Sequence, residues 1–172
     1  EPFVDLLEQA GFETVADQRA ELGLSVVLGG CGVTLAELTR AYQVFASGGE
    51  LRPLAYRRQD SSQTGRQLVA TGAAWLVGRI LSDLERPDIP QPYLEDTRRP
   101  RVAWKTGTSY GRRNAWSIGF TPRYTIGVWM GNFDGRGVPE LSGSSMAVPL
   151  LLDLFNALEA GKATPWFAPP PR

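Results

Sequence analysis

Apolar residues recur along the chain at two different spacings, one helical and one extended, and the change of period divides it into segments. Near the start, Phe3, Leu6, Leu7 and Ala10 fall on one helical face, and Gly11 supplies a stop. Thr34-Leu35-Ala36-Glu37 is a capping box that opens a helix through Leu38, Ala41, Tyr42 and Phe45 and closes at Gly48-Gly49. A third helix, capped by Thr71, carries Ala74, Val77, Ile80, Leu81 and Leu84 and ends before Pro87. From residue 101 the period shortens to two. Residues 101–109, 114–120 and 124–131 read as three consecutive strands joined by turns at 110–113 and at Thr121-Pro122-Arg123, which is an antiparallel meander. A glycine-rich stretch, 132–143, then leads to a helix opened by Ser144 or Ser145 and carrying Val148, Leu151, Leu152, Phe155 and Leu158. Pro149 falls in its first turns, where proline is tolerated.

The remaining segments read as connections. Residues 51–57 are a short strand or extended piece, Asp60-Ser61-Ser62-Gln63 a polar loop, and residues 87–100, with four prolines, an irregular surface bridge. The helices and the meander together predict a fold of the α/β class, α+β in type, with an antiparallel sheet flanked by helices. Residues 1–160 form one unit, and residues 161–172 read as a proline-rich linker or tail.

Composition narrows the chemistry. Hydrophobic residues make up 42% of 172 positions, enough for one globular core. Eighteen basic residues balance eighteen acidic ones, so no bulk charge argues for nucleic acid as a partner. The arginine pairs Arg57-Arg58, Arg98-Arg99 and Arg112-Arg113 read as solvated loop residues. With no histidine and the single cysteine Cys31, the chain holds neither a Ser-His-Asp nor a Cys-His centre and too few soft ligands for a zinc site. No metal or cofactor is implied. No run reaches the roughly 18 apolar residues of a membrane span. Any chemistry must come from lysine, carboxylates or hydroxyls, and only two lysines exist, Lys105 and Lys162.

Lys105 lies in the polar end of the first meander strand, Lys105-Thr106-Gly107-Thr108-Ser109. Alternation puts Thr106 and Thr108 on one face and Lys105 and Gly107 on the other. Two neighbouring hydroxyls suit a carboxylate. A glycine inside a strand adds no packing and reads as clearance for a ligand or another backbone.

Lys-Thr-Gly is also the third element of a set used by penicillin-binding proteins and class A β-lactamases, after Ser-x-x-Lys and Ser-x-Asn. Over most of its length the chain resembles the transpeptidase domain of class A penicillin-binding proteins. The resemblance is carried by residues 22–30 and 34–42, by Lys105-Thr106-Gly107-Thr108-Ser109-Tyr110, by Asn114-Ala115-Trp116 and Ile126-Gly127-Val128-Trp129, and by Ser144-Ser145-Met146-Ala147-Val148-Pro149. It implies the penicillin-binding and β-lactamase-like transpeptidase fold, incomplete in this chain. It further implies serine acyl transfer from a peptidoglycan stem peptide, acylation by β-lactam antibiotics, and a place on the periplasmic face of the cytoplasmic membrane. Lys105 would then supply positive charge to the catalytic network, and the Thr108 N–H one oxyanion-hole donor. Thr106, Gly107, Thr108 and Ser109 would bind substrate, with the two threonine hydroxyls on its carboxylate. Trp104, Trp116 and Trp129 read as packing rather than ligand contacts.

The first two motifs are absent. Val102 and Glu159 stand three residues before the two lysines, and Arg112, Met130 and Leu154 stand two before the asparagines Asn114, Asn132 and Asn156. The nucleophile is therefore expected upstream in the same polypeptide, the chain being the C-terminal part of the domain. Any membrane anchor would also lie outside it. A β-lactam hydrolase and a non-catalytic sensor or scaffold of the same fold are the alternatives, which the residues upstream of Glu1 would separate.

Overall fold

The computed structural model describes residues 2–57, 64–83 and 100–170. The loop expected at Asp60–Gln63, Leu84 and most of the proline-rich bridge lie outside them. In chain order the elements are α1 (Pro2–Gln9), α2 (Glu13–Asp17), α3 (Leu35–Ala46), β1 (Glu50–Leu51), β2 (Arg66–Gln67), α4 (Thr71–Asp83), β3 (Ala103–Thr108), β4 (Asn114–Phe120), β5 (Thr125–Gly131) and α5 (Val148–Glu159). Short 3-10 turns occupy Arg19–Glu21 and Leu24–Leu28.

The meander forms as its pattern predicts. β3, β4 and β5 make an antiparallel sheet in that order, with Thr106 opposite Ser117 and Trp116 opposite Trp129. Helices cover both faces. On one face Trp104 and Val128 pack with Val148, Leu151 and Phe155 of α5. On the other, Phe120 stacks on Phe45 of α3 at 6.2 Å and touches Gly78 of α4. Glycines set both approaches: a Cβ on Gly119 would lie 3.1 Å from the Phe155 ring, and one on Gly127 would collide with Thr39. A second cluster, Val4, Ala10, Phe12, Val15 and Val26, binds the N-terminal helices to Leu38 and Ala41 of α3.

The helices differ from the sequence reading at three places, one in the face buried and two in where the helix begins. α1 buries Val4 and Ala10 and leaves Phe3 exposed, because its partners Phe12 and Val15 lie to that side. Thr71 is the first residue of α4 rather than its cap, since the first helical bond runs from Ala74 N–H to the Ala70 carbonyl. The last helix opens with a π-helical turn, Gly143–Ala147, whose cap is Ser142 and not Ser144 or Ser145. Ser142 Oγ accepts the Ser145 N–H at 3.1 Å.

Residues 161–170 take no regular structure and lie along the sheet and α4. Arg101 sits over the Trp166 ring at 4.6 Å, Phe167 meets Phe120 at 6.0 Å, and the Phe167 carbonyl accepts the Trp75 Nε1–H at 3.3 Å.

Candidate active site

β3 is an edge strand of the described sheet, so among the described residues no strand pairs with its outer side where the Lys-Thr-Gly run lies. Exposure rises along it: Ala103 and Trp104 are buried, whereas Lys105, Gly107 and Thr108 are exposed and Thr106 half-buried. The strand is thus anchored in the core at its start and emerges at its chemical end. The Ser109 N–H donates to the Asn114 carbonyl across the ladder at 3.0 Å. In an antiparallel pair the hydrogen-bonding direction alternates, so the N–H groups of Gly107 and Lys105 point toward β4 and those of Thr108 and Thr106 point outward from the edge. Main-chain donors and hydroxyl-bearing side chains therefore meet on one rim.

Side chains divide as alternation requires. Thr106 and Thr108 face the π-helical turn before α5: the Thr108 Oγ1 accepts the Gly143 N–H at 3.0 Å, and a Cβ on Gly143 would lie 2.9 Å from Thr106 Cβ. Lys105 and Gly107 face the other way, alongside Trp116. The Lys105 Nζ bends back to the edge and donates to the Thr106 carbonyl at 2.7 Å. Its ammonium thus reaches the rim from the opposite face.

A Cβ on Gly107 would meet nothing closer than Trp116 Cβ at 3.7 Å, an ordinary contact. Neither backbone conformation nor packing within the described residues requires glycine there. Ser109 is half-buried at the turn, and its Oγ accepts from the Asn114 N–H at 2.9 Å and lies 3.3 Å from Asn114 Nδ2. The Asn114 Oδ1 in turn accepts the Trp129 Nε1–H at 2.9 Å, so Ser109 is tied into the β3–β4 turn. Trp104 is buried in the α5 cluster, in keeping with a packing role.

Gly143 is the residue that motif reading missed. Its place against β3 depends on a contact between positions 35 apart, which no local pattern announces. Among the described residues no group of three or more His, Cys, Asp or Glu side chains could hold a metal ion. Cys31 lies in the N-terminal cluster away from β3, and desolvation pushes its thiol pKa up, the opposite of an activated nucleophile.

No protein-family model matches the chain. Known sequences do. By sequence the chain is similar to penicillin-binding proteins. It is 40% identical over 91% of its length to penicillin-binding protein 1C of Escherichia coli K12, and 32% identical over 90% to penicillin-binding protein 1A of Aquifex aeolicus. It spans only 20% and 24% of those relatives' lengths. Two solved structures share its fold. Penicillin-binding protein 1A from Haemophilus influenzae covers 97% of the chain with a TM-score of 0.73 at 20% identity, the chain matching 32% of it. The PonA1 protein from Mycobacterium tuberculosis, solved in complex with penicillin V, covers 86% with a TM-score of 0.69 at 19% identity, the chain matching 44% of it. The mixed helix and antiparallel-sheet architecture is therefore a fold the chain shares with these penicillin-binding proteins.

Proposed function

We propose that the chain is the C-terminal part of a peptidoglycan DD-transpeptidase domain, with β3 forming one wall of its acyl-transfer pocket. The observation that carries this reading is the open edge of β3. There the outward Thr108 and Thr106 N–H groups, the Thr108 hydroxyl and the Lys105 ammonium converge on one rim. The sequence relatives are named for penicillin binding, and one neighbour of the same fold was solved with penicillin V, a β-lactam.

A serine from outside the chain attacks the carbonyl between the two D-alanines of a stem peptide. The tetrahedral oxyanion is held in part by the outward Thr108 N–H, and the C–N bond breaks to release D-alanine. An amine of a second stem peptide then attacks the acyl ester, forming the cross-link and returning the proton to serine. Lys105 lowers the cost of negative charge developing at the nucleophile. Thr106 and Thr108 donate to the terminal carboxylate, and the open edge lets the peptide pair with β3 as an added strand. Ser109 holds the turn that ends this wall. β-Lactams enter as acylating analogues of the same dipeptide, and the reaction takes place on the periplasmic side of the membrane. Among the described residues no helix is long and apolar enough to cross it.

The test is mass spectrometry after incubation with penicillin. The parent polypeptide, with its upstream residues, is expected to gain one penicilloyl group, and Lys105→Ala to slow that step at least about a hundredfold. This chain alone is expected to gain none, since it lacks the nucleophile motif. Covalent acylation of the isolated chain, or a parent protein inert to every penicillin tried, would sink the proposal.

A further inference from the structure

The π-helical turn before α5 lies against β3 at its chemical end. Gly143 is buried, and a Cβ there would lie 2.7 Å from the Trp116 carbonyl oxygen and 2.9 Å from the Gly107 carbonyl oxygen. Those neighbours are main-chain atoms of paired strands and cannot give way as a side chain would. Its backbone is not in the left-handed region, so closeness alone demands glycine. The wider π turn, held by Ser142 through the Ser145 N–H, brings this residue down onto the ladder. As a first-turn N–H it has no intrahelical acceptor, and it donates instead to the Thr108 Oγ1 at 3.0 Å.

A threonine hydroxyl has one hydrogen and two lone pairs. Free, it rotates; with one lone pair held by an N–H from below, its own hydrogen is directed away from that donor. Thr108 is exposed at the open rim, so the hydrogen is turned outward. Each link of such a chain polarises the next, and the positive end of the helical segment strengthens the effect toward an anion.

We propose that Gly143 is a positioning residue whose N–H makes the Thr108 hydroxyl a committed donor to the terminal carboxylate of the stem peptide or β-lactam. The proposal rests on the transpeptidase reading above. It makes Gly143 matter to recognition of the carboxylate and not to acyl transfer as such.

The experiment compares acylation of the parent protein by benzylpenicillin and by its methyl ester, which lacks the anionic carboxylate. Gly143→Ala is expected to slow reaction with the acid about tenfold and with the ester less than about twofold. In a Thr108→Val background, Gly143→Ala should change neither rate further, while Thr108→Ser should keep the full dependence on Gly143. Equal slowing of acid and ester, or an undiminished effect beside Thr108→Val, overturns the proposal. If Gly143→Ala does not fold, Ser142→Ala takes its place and must shift the acid-to-ester ratio in the same direction; an unshifted ratio overturns the proposal. A second readout needs no catalysis. In this chain, Thr108→Val should strip the Gly143 amide of its protection from hydrogen exchange while leaving the melting temperature in place, and unchanged protection also overturns the proposal. A wild-type parent that no penicillin acylates condemns the transpeptidase reading instead, because the amide measurement decides the hydrogen bond independently.

Discussion

Gly107 and Gly119 both interrupt strands of the meander, but only Gly119 is held by what surrounds it. A Cβ on Gly119 would sit 3.1 Å from Phe155 and from Trp104 Cβ and 3.2 Å from the Ala103 carbonyl, all in the packed layer between the sheet and α5. Overpacking of this kind costs about 1–3 kcal/mol, so Gly119→Ala should lower the urea midpoint clearly. Gly107→Ala meets only Trp116 Cβ at 3.7 Å and should leave stability within about 1 kcal/mol. If the clearance at Gly107 serves a ligand, the same substitution slows acylation of the parent protein. Equal destabilisation by the two alanines would show that Gly107 is a packing glycine after all. The candidate residues of β3 were legible in the sequence because their chemistry is written in consecutive positions. Gly143 was not, nor was the engagement of Ser109 Oγ with Asn114, because both depend on which strand or turn folds back onto β3.

At the scale of elements, α3 shows how a local signal can carry a long-range contact. The Thr34 Oγ1 accepts the Glu37 N–H at 3.2 Å, and the Glu37 Oε2 accepts the Thr34 N–H at 2.7 Å, as the capping box predicts. The other carboxylate oxygen, Oε1, accepts the Glu13 N–H at 2.9 Å and so ties the first turn of α2 to α3. Partial desolvation pushes the Glu37 carboxyl upward, but donors from Thr34, Glu13 and Thr14 together outweigh it and hold the group below its ordinary value of 4.5. A carboxyl depressed on folding contributes stability above its unfolded pKa and loses it as pH falls through the folded one. Thermal melts from pH 7 to pH 3 should therefore show a steeper loss below about pH 4.5 for the wild type than for Glu37→Gln. Parallel curves would refute this. Thr34→Ala should cost about 1 kcal/mol at neutral pH. The capping box and the strand alternation were readable because their signals span four to eight residues. The π turn was not, because three serines in four positions, Ser142, Ser144 and Ser145, each satisfy the same cap rule, and only packing on β3 selects the first. Gly78 was passed over for the same reason: the apolar stripe of α4 points to Ile80, yet Phe120 makes the glycine the contact and leaves Ile80 half exposed.

Across the whole molecule, the layers are closed by a strap that composition alone describes only as proline-rich. Glu159, at the end of α5, is 4% exposed and accepts from the Thr121 hydroxyl at 2.9 Å and the Thr164 hydroxyl at 2.8 Å. It fixes the β4–β5 turn and the start of the tail to one carboxylate, and a buried charge with two donors is tolerable where a bare one is not. From there the tail crosses to the opposite layer. Trp166 lies beneath Arg101, which also bonds Asp83 at the end of α4, and Phe167 lies between Phe120 of the sheet and Trp75 of α4. The tail thus joins the α5 side of the sheet to the α4 side, around the core end of β3. Cutting the chain after Lys162 removes the Phe120–Phe167 ring contact, one cation–π pair and two hydrogen bonds, from Thr164 to Glu159 and from Trp75 to the Phe167 carbonyl. Each ring is partly exposed, so the combined loss should be about 2–4 kcal/mol rather than the sum for fully buried aromatics. The unfolding midpoint in urea should fall accordingly, and Phe167→Ala alone should account for the largest single share, because its ring packs on both Phe120 and Trp166. Hydrogen exchange should speed most in α4, which the strap holds against the sheet. A truncated chain with an unchanged midpoint and unchanged α4 exchange would mean that the tail merely lies on the surface and that the sheet–α4 seam is self-sufficient.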